Sequence, residues 1–311
     1  MRTGAGARAA VPDGSYVVAA TRGRRALRRI ARQPGALASA AFLALVAVCA
    51  IGAPWIAPYD AVRSRLMDRL QPPSVAARHW LGTDQLGRDV FSRVVVGARV
   101  SLTIGAVAVC GAGALGTALG LLSGYARGIA DGVIMRIADV QLAFPFVLLA
   151  LAIVAALGPG LGNLIIVFVV TGWVVFARVV RAQVLQVRER EFVEASRSLG
   201  ASPRRILLRH ILPNLTGSLI VVASFELAKI IVWEASLSFL GLGVPPRTVS
   251  WGAMLSDGRQ YIDTAWWVAM FPGLTLVAVV LAINTIGDEV RDALDPRLER
   301  LKLTLHPNRT R

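Results

Sequence analysis

Three ionisable side chains, Glu226, Lys229 and Glu234, stand inside "LTGSLIVVASFELAKIIVWEASLSFLGLG", residues 215–243, a stretch otherwise apolar enough to cross a bilayer. Charge within a membrane is costly and gathers on a partner or along a wet cavity. Glu226 and Lys229, at i and i+3, can pair with each other, or the three residues can line a route for a solute. Proton-driven transport would use carboxylates in the same setting, so an ion-coupled secondary transporter is the alternative these residues raise.

Other chemistry-bearing residues carry less. Cys49 and Cys110 both fall in apolar runs without a CxxC neighbour, so neither a disulfide framework nor a zinc site follows. His79, His210 and His306 are isolated in sequence and read as structural. A nucleotide-binding P-loop needs Gly-Lys-Ser/Thr, because the lysine reaches the β and γ phosphates. The only lysines, Lys229 and Lys302, follow Ala228 and Leu301. "GAGALG", residues 111–116, matches GxGxxG, and Asp131 lies near the spacing of a ribose-binding acid. No strand precedes those glycines, however, and they lie within an uncharged run of membrane length. Gly116, Gly120 and Gly124 instead form a small-xxx-small ridge, which lets membrane helices approach closely. No nucleophile and base, and no metal-ligand set, occur at usable spacing, so an enzyme is not expected.

These residues must be positioned by membrane helices. Of 311 residues 55% are hydrophobic and only 17% charged, too apolar for a soluble domain of this size. Six spans are predicted: Gly35 to Ala57, Val100 to Leu122, Val140 to Leu157 with an internal Pro145, Leu161 to Ala177, Leu215 to Gly243, and Thr264 to Gly287. The third and fourth form a tight hairpin around "GPGLG", and the sixth opens on Trp266 and Trp267, residues favoured at the membrane interface. The first run has a basic flank like a signal peptide, but it is too long for one and reads as an uncleaved anchor.

Lysine and arginine counts give 24 basic residues in segments 1–34, 123–139, 178–214 and 288–311, against 9 in 58–99, 158–160 and 244–263. The larger set belongs inside, which puts both termini in the cytoplasm. The 58–99 segment dissents with seven arginines. It also contains Val90, Phe91, Val94, Val95 and Ala98 on one helical face, which predicts an amphipathic helix along the membrane surface. The expected organisation is therefore a cytoplasmic segment 1–34, a first span 35–57, an extracytoplasmic loop 58–99, a core 100–287 and a cytoplasmic tail 288–311. Topology accounts for most of the net charge of +15, and nucleic acid is not needed to explain it.

One polar segment interrupts the core: "EFVEASRSLGASPRRILLRHILPN", residues 191–214. Phe192, Ala195, Ser196 and Leu199 recur at i, i+3, i+4 and i+7, the pattern of an amphipathic helix. Gly200 suits the residue just past its end, Ser202 an N-cap and Pro203 a first helical position. Leu207, Leu208, Ile211 and Leu212 then predict the apolar face of a second helix, which Pro213 closes. A DNA-reading helix-turn-helix has a similar outline, but this one is tied to membrane at both ends and cannot easily enter a major groove. A rigid hairpin of this kind is suited to meet a cytoplasmic protein.

"EASRSLG", followed after nine residues by "HILPN", resembles the EAA loop of permease subunits in bacterial ATP-binding-cassette importers, here within residues 183–214. "LGTDQLGRDVFSRVVVGARVSL" at 81–102, "EASLSFLGLGVPP" at 234–246, "SWGAMLSDGR" at 250–259 and "GDEVRDALDPRLER" at 287–300 are similar to the dipeptide/oligopeptide/nickel branch, specifically the C-type permease. The resemblance covers about residues 25–300. Ser196 departs from the alanine of the loop's name, and His210 stands where many relatives outside the peptide group have isoleucine. The resemblance implies an all-α, six-span type I importer permease in a bacterial cell membrane. It implies a second homologous permease, two ATPase subunits that bind ATP and magnesium, and an external peptide-binding protein, with no cofactor in this chain. Glu194, Ala195, Ser196, Gly200, Ala201 and Ser202 would then meet the ATPase. Peptides, glutathione-like molecules and nickel chelates are all substrates within this branch.

Overall fold

The computed structural model describes residues 33–294 except Ala77 and Pro246; segment 1–32 and the tail from 295, with His306 and Lys302, lie outside the described residues. Among the described residues the chain is helical, with two isolated bridges and no strands. Helix α1 spans Pro34–Ile51 and a short α2 spans Ala53–Ile56. The long α3, Val90–Ala126, is followed by α4, Gly128–Ala143, α5, Phe146–Leu157, and α6, Leu161–Val187. Then come α7, Glu191–Ser198, α8, Pro203–Arg205, a π-helical turn over Ile206–Ile211, and α9, Leu212–Phe239. Helix α10, Trp251–Gly258, precedes α11, Trp267–Leu294. Among the described residues, five helical stretches are long and apolar enough to span a membrane, or six if the bent pair α4 and α5 counts as one.

The centre of the bundle is α3 against α6, and the glycine ridge sets how closely they pack. A Cβ on Gly116 would lie 2.3 Å from the Trp173 carbonyl oxygen, and one on Gly120 would lie 2.6 Å from that of Ala177. Helices in lipid gain little from hydrophobic transfer, so this backbone-to-backbone approach supplies the dispersion contacts that hold them. Helix α9 packs beside this pair through Ile230 and Leu237, while Ile231, Trp251 and Val279 join α9, α10 and α11 to α1. Asn163 Nδ2 donates to the carbonyls of Leu157 and Gly158, both at 2.9 Å, and closes the expected α5–α6 turn.

Four expectations change. Residues 90–99 do not lie along the surface as a separate helix; they are the first turns of α3, which Asp89 caps by accepting from the Ser92 amide at 2.8 Å. Arg93, in those first turns, is buried and pairs with the buried Asp84 and the part-exposed Asp257. The third span is broken: α4 and α5 meet at 96° across Phe144 and Pro145. Proline has no amide hydrogen and drives the preceding residue extended, which is where Phe144 lies at φ −88°, ψ 131°. Much of the segment 123–139 expected as a loop is therefore helix α4, tied to α6 by a bidentate pair in which Arg181 Nε and Nη2 donate to Asp131 at 2.6 Å each.

Pro213 does not end the second hairpin helix either. The π turn makes room for it: Leu212 donates its amide to the carbonyl of Leu207, and Asn214 Nδ2 donates to that of His210 at 2.6 Å. Helix therefore runs from Pro203 through Phe239. Finally, Trp267 is buried, its Nε1 donating to the Thr83 carbonyl at 3.1 Å, while Trp266 remains half-exposed.

Candidate functional site

The hairpin sits between two spans, α6 and α9, and its first arm is α7. Glu191 and Glu194 in its first turn and Arg197 in its last complement the helix dipole. The helix ends in a Schellman motif. Gly200, at φ +78°, donates its amide to the Arg197 carbonyl at 2.9 Å, and Ala201 donates to that of Ser196 at 3.1 Å. Only glycine enters that left-handed conformation at no cost. Ser202 then caps α8 by accepting from the Arg205 amide at 3.4 Å, with Pro203 in the first helical position.

A single residue anchors α7. Val193 is fully buried, packed among Leu121 of α3, Val184 and Val187 of α6, Ile206, Ile211, and Leu215 of α9. Arg188 reinforces the same end, donating from Nη1 to the Tyr125 carbonyl at 2.8 Å and to that of Gly124 at 3.2 Å. The predicted stripe is not the buried face. Phe192 and Ala195 are exposed, Leu199 is 88% exposed, and a Cβ on Gly200 would meet nothing within 4 Å. In the second arm the buried residues are Ile206 and Ile211, five apart because of the π turn; Leu208 is exposed instead of core. Of the six predicted contact residues, Ser196 and Ala201 are half-buried, and Ala201 packs against the same buried cluster as Val193, so the exposed ones are Glu194, Ala195, Gly200 and Ser202.

The intramembrane charges do not form one group. Lys229 Nζ donates to Glu226 Oε1 at 2.6 Å, which realises the pairing read from i, i+3 spacing. Glu234 is fully buried and apart, accepting from Ser238 at 2.9 Å and from Ser101 of α3 at 3.1 Å. The Ser101 hydroxyl also accepts the Trp251 amide at 3.3 Å, so Glu234 ties α3, α9 and α10 together.

At the end of α3 remote from the hairpin lies a cluster that sequence reasoning missed. Asp84 Oδ2 receives Arg88 Nε and Arg93 Nη1, each at 2.6 Å, and its Oδ1 receives the amides of Leu86 and Arg88 at 2.9 Å. Asp257 of α10 receives the remaining Nη2 of both arginines at 3.1 Å. All but Asp257 are buried, which explains arginines outside the expected cytoplasmic segments. The signal was present as two separate blocks, "TDQLGRDVFSR" and "SDGR", but nothing local couples positions so far apart.

A bundle of membrane-length helices whose central pair packs through a glycine ridge, with a capped hairpin projecting between two spans, has the type I importer permease fold. It matches a chain of the MetNI methionine ABC transporter in an inward-facing conformation with a TM-score of 0.54, over 65% of this chain and 97% of that one, at 23% identity.

The chain belongs to the family described as "binding-protein-dependent transport system inner membrane component", which matches residues 116–300; residues 21–73 match the "N-terminal TM domain of oligopeptide transport permease C". The glutathione transport system permease protein GsiD of Escherichia coli O6:K15:H31 is 49% identical over 273 residues, 88% of this chain and 89% of that protein. The di/tripeptide transport system permease protein DppC of Pseudomonas aeruginosa is 46% identical, over 86% of this chain and 90% of that protein. The chain is thus a multi-pass inner-membrane permease of an ABC importer, a transport subunit that works with ATPase and substrate-binding partners.

Proposed function

We infer that this permease imports short peptides, glutathione-like ones included, as one half of a pathway completed by a second, homologous permease. Two ATPase subunits binding ATP and magnesium act from the cytoplasm, and an extracytoplasmic binding protein delivers the peptide. The observation that carries this reading is the hairpin: a capped arm whose free face sets Phe192 and Leu199 among Glu194 and Arg197, continuous with a membrane span. When the ATPases close, Glu194, Ala195, Ser196, Gly200, Ala201 and Ser202 move with them, and α9 moves with the hairpin. Binding energy thereby shifts the bundle between inward- and outward-open packings. Support for a peptide substrate comes from the printed functions of the glutathione and di/tripeptide relatives.

The test is uptake by the complete complex in proteoliposomes. Glutathione or a tripeptide is expected to enter only with ATP on the ATPase side, and a proton uncoupler should leave the rate unchanged. Uptake that persists without ATP and collapses with the uncoupler would establish the ion-coupled alternative.

Both termini and the hairpin are placed in the cytoplasm on the charge asymmetry. With Cys49 and Cys110 replaced by alanine, a cysteine at exposed Leu199 should react with an impermeant maleimide only from the ATPase side. Labelling from the other side inverts the topology.

A further inference from the structure

Lys229 is followed by ten helical residues, Ile230–Phe239, and preceded by more, so it lies at least about 15 Å from either end of α9. At that depth its side chain is 47% exposed, whereas that of Glu226 is only 8% exposed. An ammonium carries three donors, and Glu226 takes one. Two remain open among the described residues. The helix face they share carries Val222, Phe225, Val232, Trp233 and Ser236, at i−7, i−4, i+3, i+4 and i+7. Trp233 is fixed there by Phe146 of α5, with ring centroids 4.3 Å apart.

A charged head turned toward hydrocarbon costs roughly 2.5–3.5 kcal/mol on insertion scales, so a partner or a wet pathway is favoured over lipid at this face. A pair serving only to neutralise itself would bury the lysine beside the glutamate. Here the glutamate is buried and the lysine reaches out, as a cation held for an external anion. We propose that Lys229, positioned and partly neutralised by Glu226, binds the carboxylate of the substrate at mid-membrane as it passes along this face of α9. This rests on the peptide-importer reading, since every unmodified short peptide carries a terminal carboxylate. The ligand class is an organic carboxylate, the hydrogen bonds are charge-assisted, and Trp233 and Phe225 offer apolar contact to the peptide beside it.

The experiment uses the complete complex in proteoliposomes with ATP and binding protein saturated by trialanine or by trialanine amide. Each variant's rate is divided by the wild-type rate for the same peptide, which cancels the binding protein's own preference. Lys229→Gln is expected to lower trialanine uptake about tenfold or more, the size of one lost charge-assisted contact, and to change amide uptake less than about twofold. Lys229→Arg should keep most of the activity, and Glu226→Gln/Lys229→Gln should not recover it. All variants should co-purify with the ATPases as the wild type does. Full recovery in the double variant overturns the proposal, because the pair then only balances itself. Equal losses for both peptides also overturn it and assign Lys229 to another group, such as a carboxylate of the second permease. Wild-type complex without ATP-driven uptake sinks the importer reading; normal wild-type uptake with either adverse result sinks the Lys229 assignment alone.

Discussion

Gly200→Trp is expected to abolish ATP-driven uptake, by more than about a hundredfold, while the chain still inserts and folds. The reasoning separates two costs. Within its own chain Gly200 has room, because a Cβ there meets nothing within 4 Å. Backbone conformation is the other cost: φ of +78° penalises most residues by about 1–2 kcal/mol, and asparagine by less. Gly200→Asn should therefore leave the melting temperature of the purified protein nearly unchanged. If uptake nevertheless falls, the side chain is colliding with a partner, since the permease itself has space. Glu194→Lys adds an electrostatic arm, reversing an exposed charge in the first turn of α7 without touching the Val193 anchor. Its expected effect is weaker co-purification with the ATPase, steepest at low salt. Normal uptake in both Gly200→Trp and Glu194→Lys would remove the hairpin from the coupling mechanism.

The second large effect concerns stability at the opposite end of α3. Asp84→Asn keeps the shape of the side chain but leaves two buried guanidiniums to share Asp257. Removing one partner from a buried ion cluster typically costs about 3–5 kcal/mol, because the remaining charge stays desolvated. A sharp drop in apparent melting temperature and in detergent-extracted yield is expected. Asp257→Asn makes the comparison, because Asp257 is 37% exposed and its loss exposes the arginines to water that can replace it. That variant should cost about 1 kcal/mol or less. Equal shifts for the two would mean that the cluster is solvated and does not fasten the 58–89 loop to α10.

The contrast between these two regions explains what could be read from the chain. The hairpin caps are local: Gly200, Ser202 and Pro203 determine their turns through backbone geometry and bonds no more than five residues long. The glycine ridge is equally local, since Gly116, Gly120 and Gly124 advertise close approach by spacing alone. Asp84 and Asp257 are joined only by the tertiary fold, and neither carries any periodic signal of the other. The π turn was hidden for a different reason. Ordinary α-helical spacing puts Leu208 on the buried face, whereas a five-residue step from Ile206 to Ile211 satisfies the core. Pro213 alone reads as a stop, although the neighbouring wide turn, in which the Leu212 amide bonds back to the Leu207 carbonyl, carries the helix past it.

That wide turn has a geometric consequence for the whole arm. An α-helix advances about 100° per residue, so one residue accommodated in the π turn offsets α9 from the hairpin by that angle. Tightening Ile206–Ile211 to ordinary pitch would set His210 beneath Ile206 and swing every later side chain of α9 around its axis. The junction therefore acts as a phase adjuster between the exposed surface of α7 and the faces of α9. A single inserted or deleted residue there re-indexes the span while leaving the outer surface of α7 as it is.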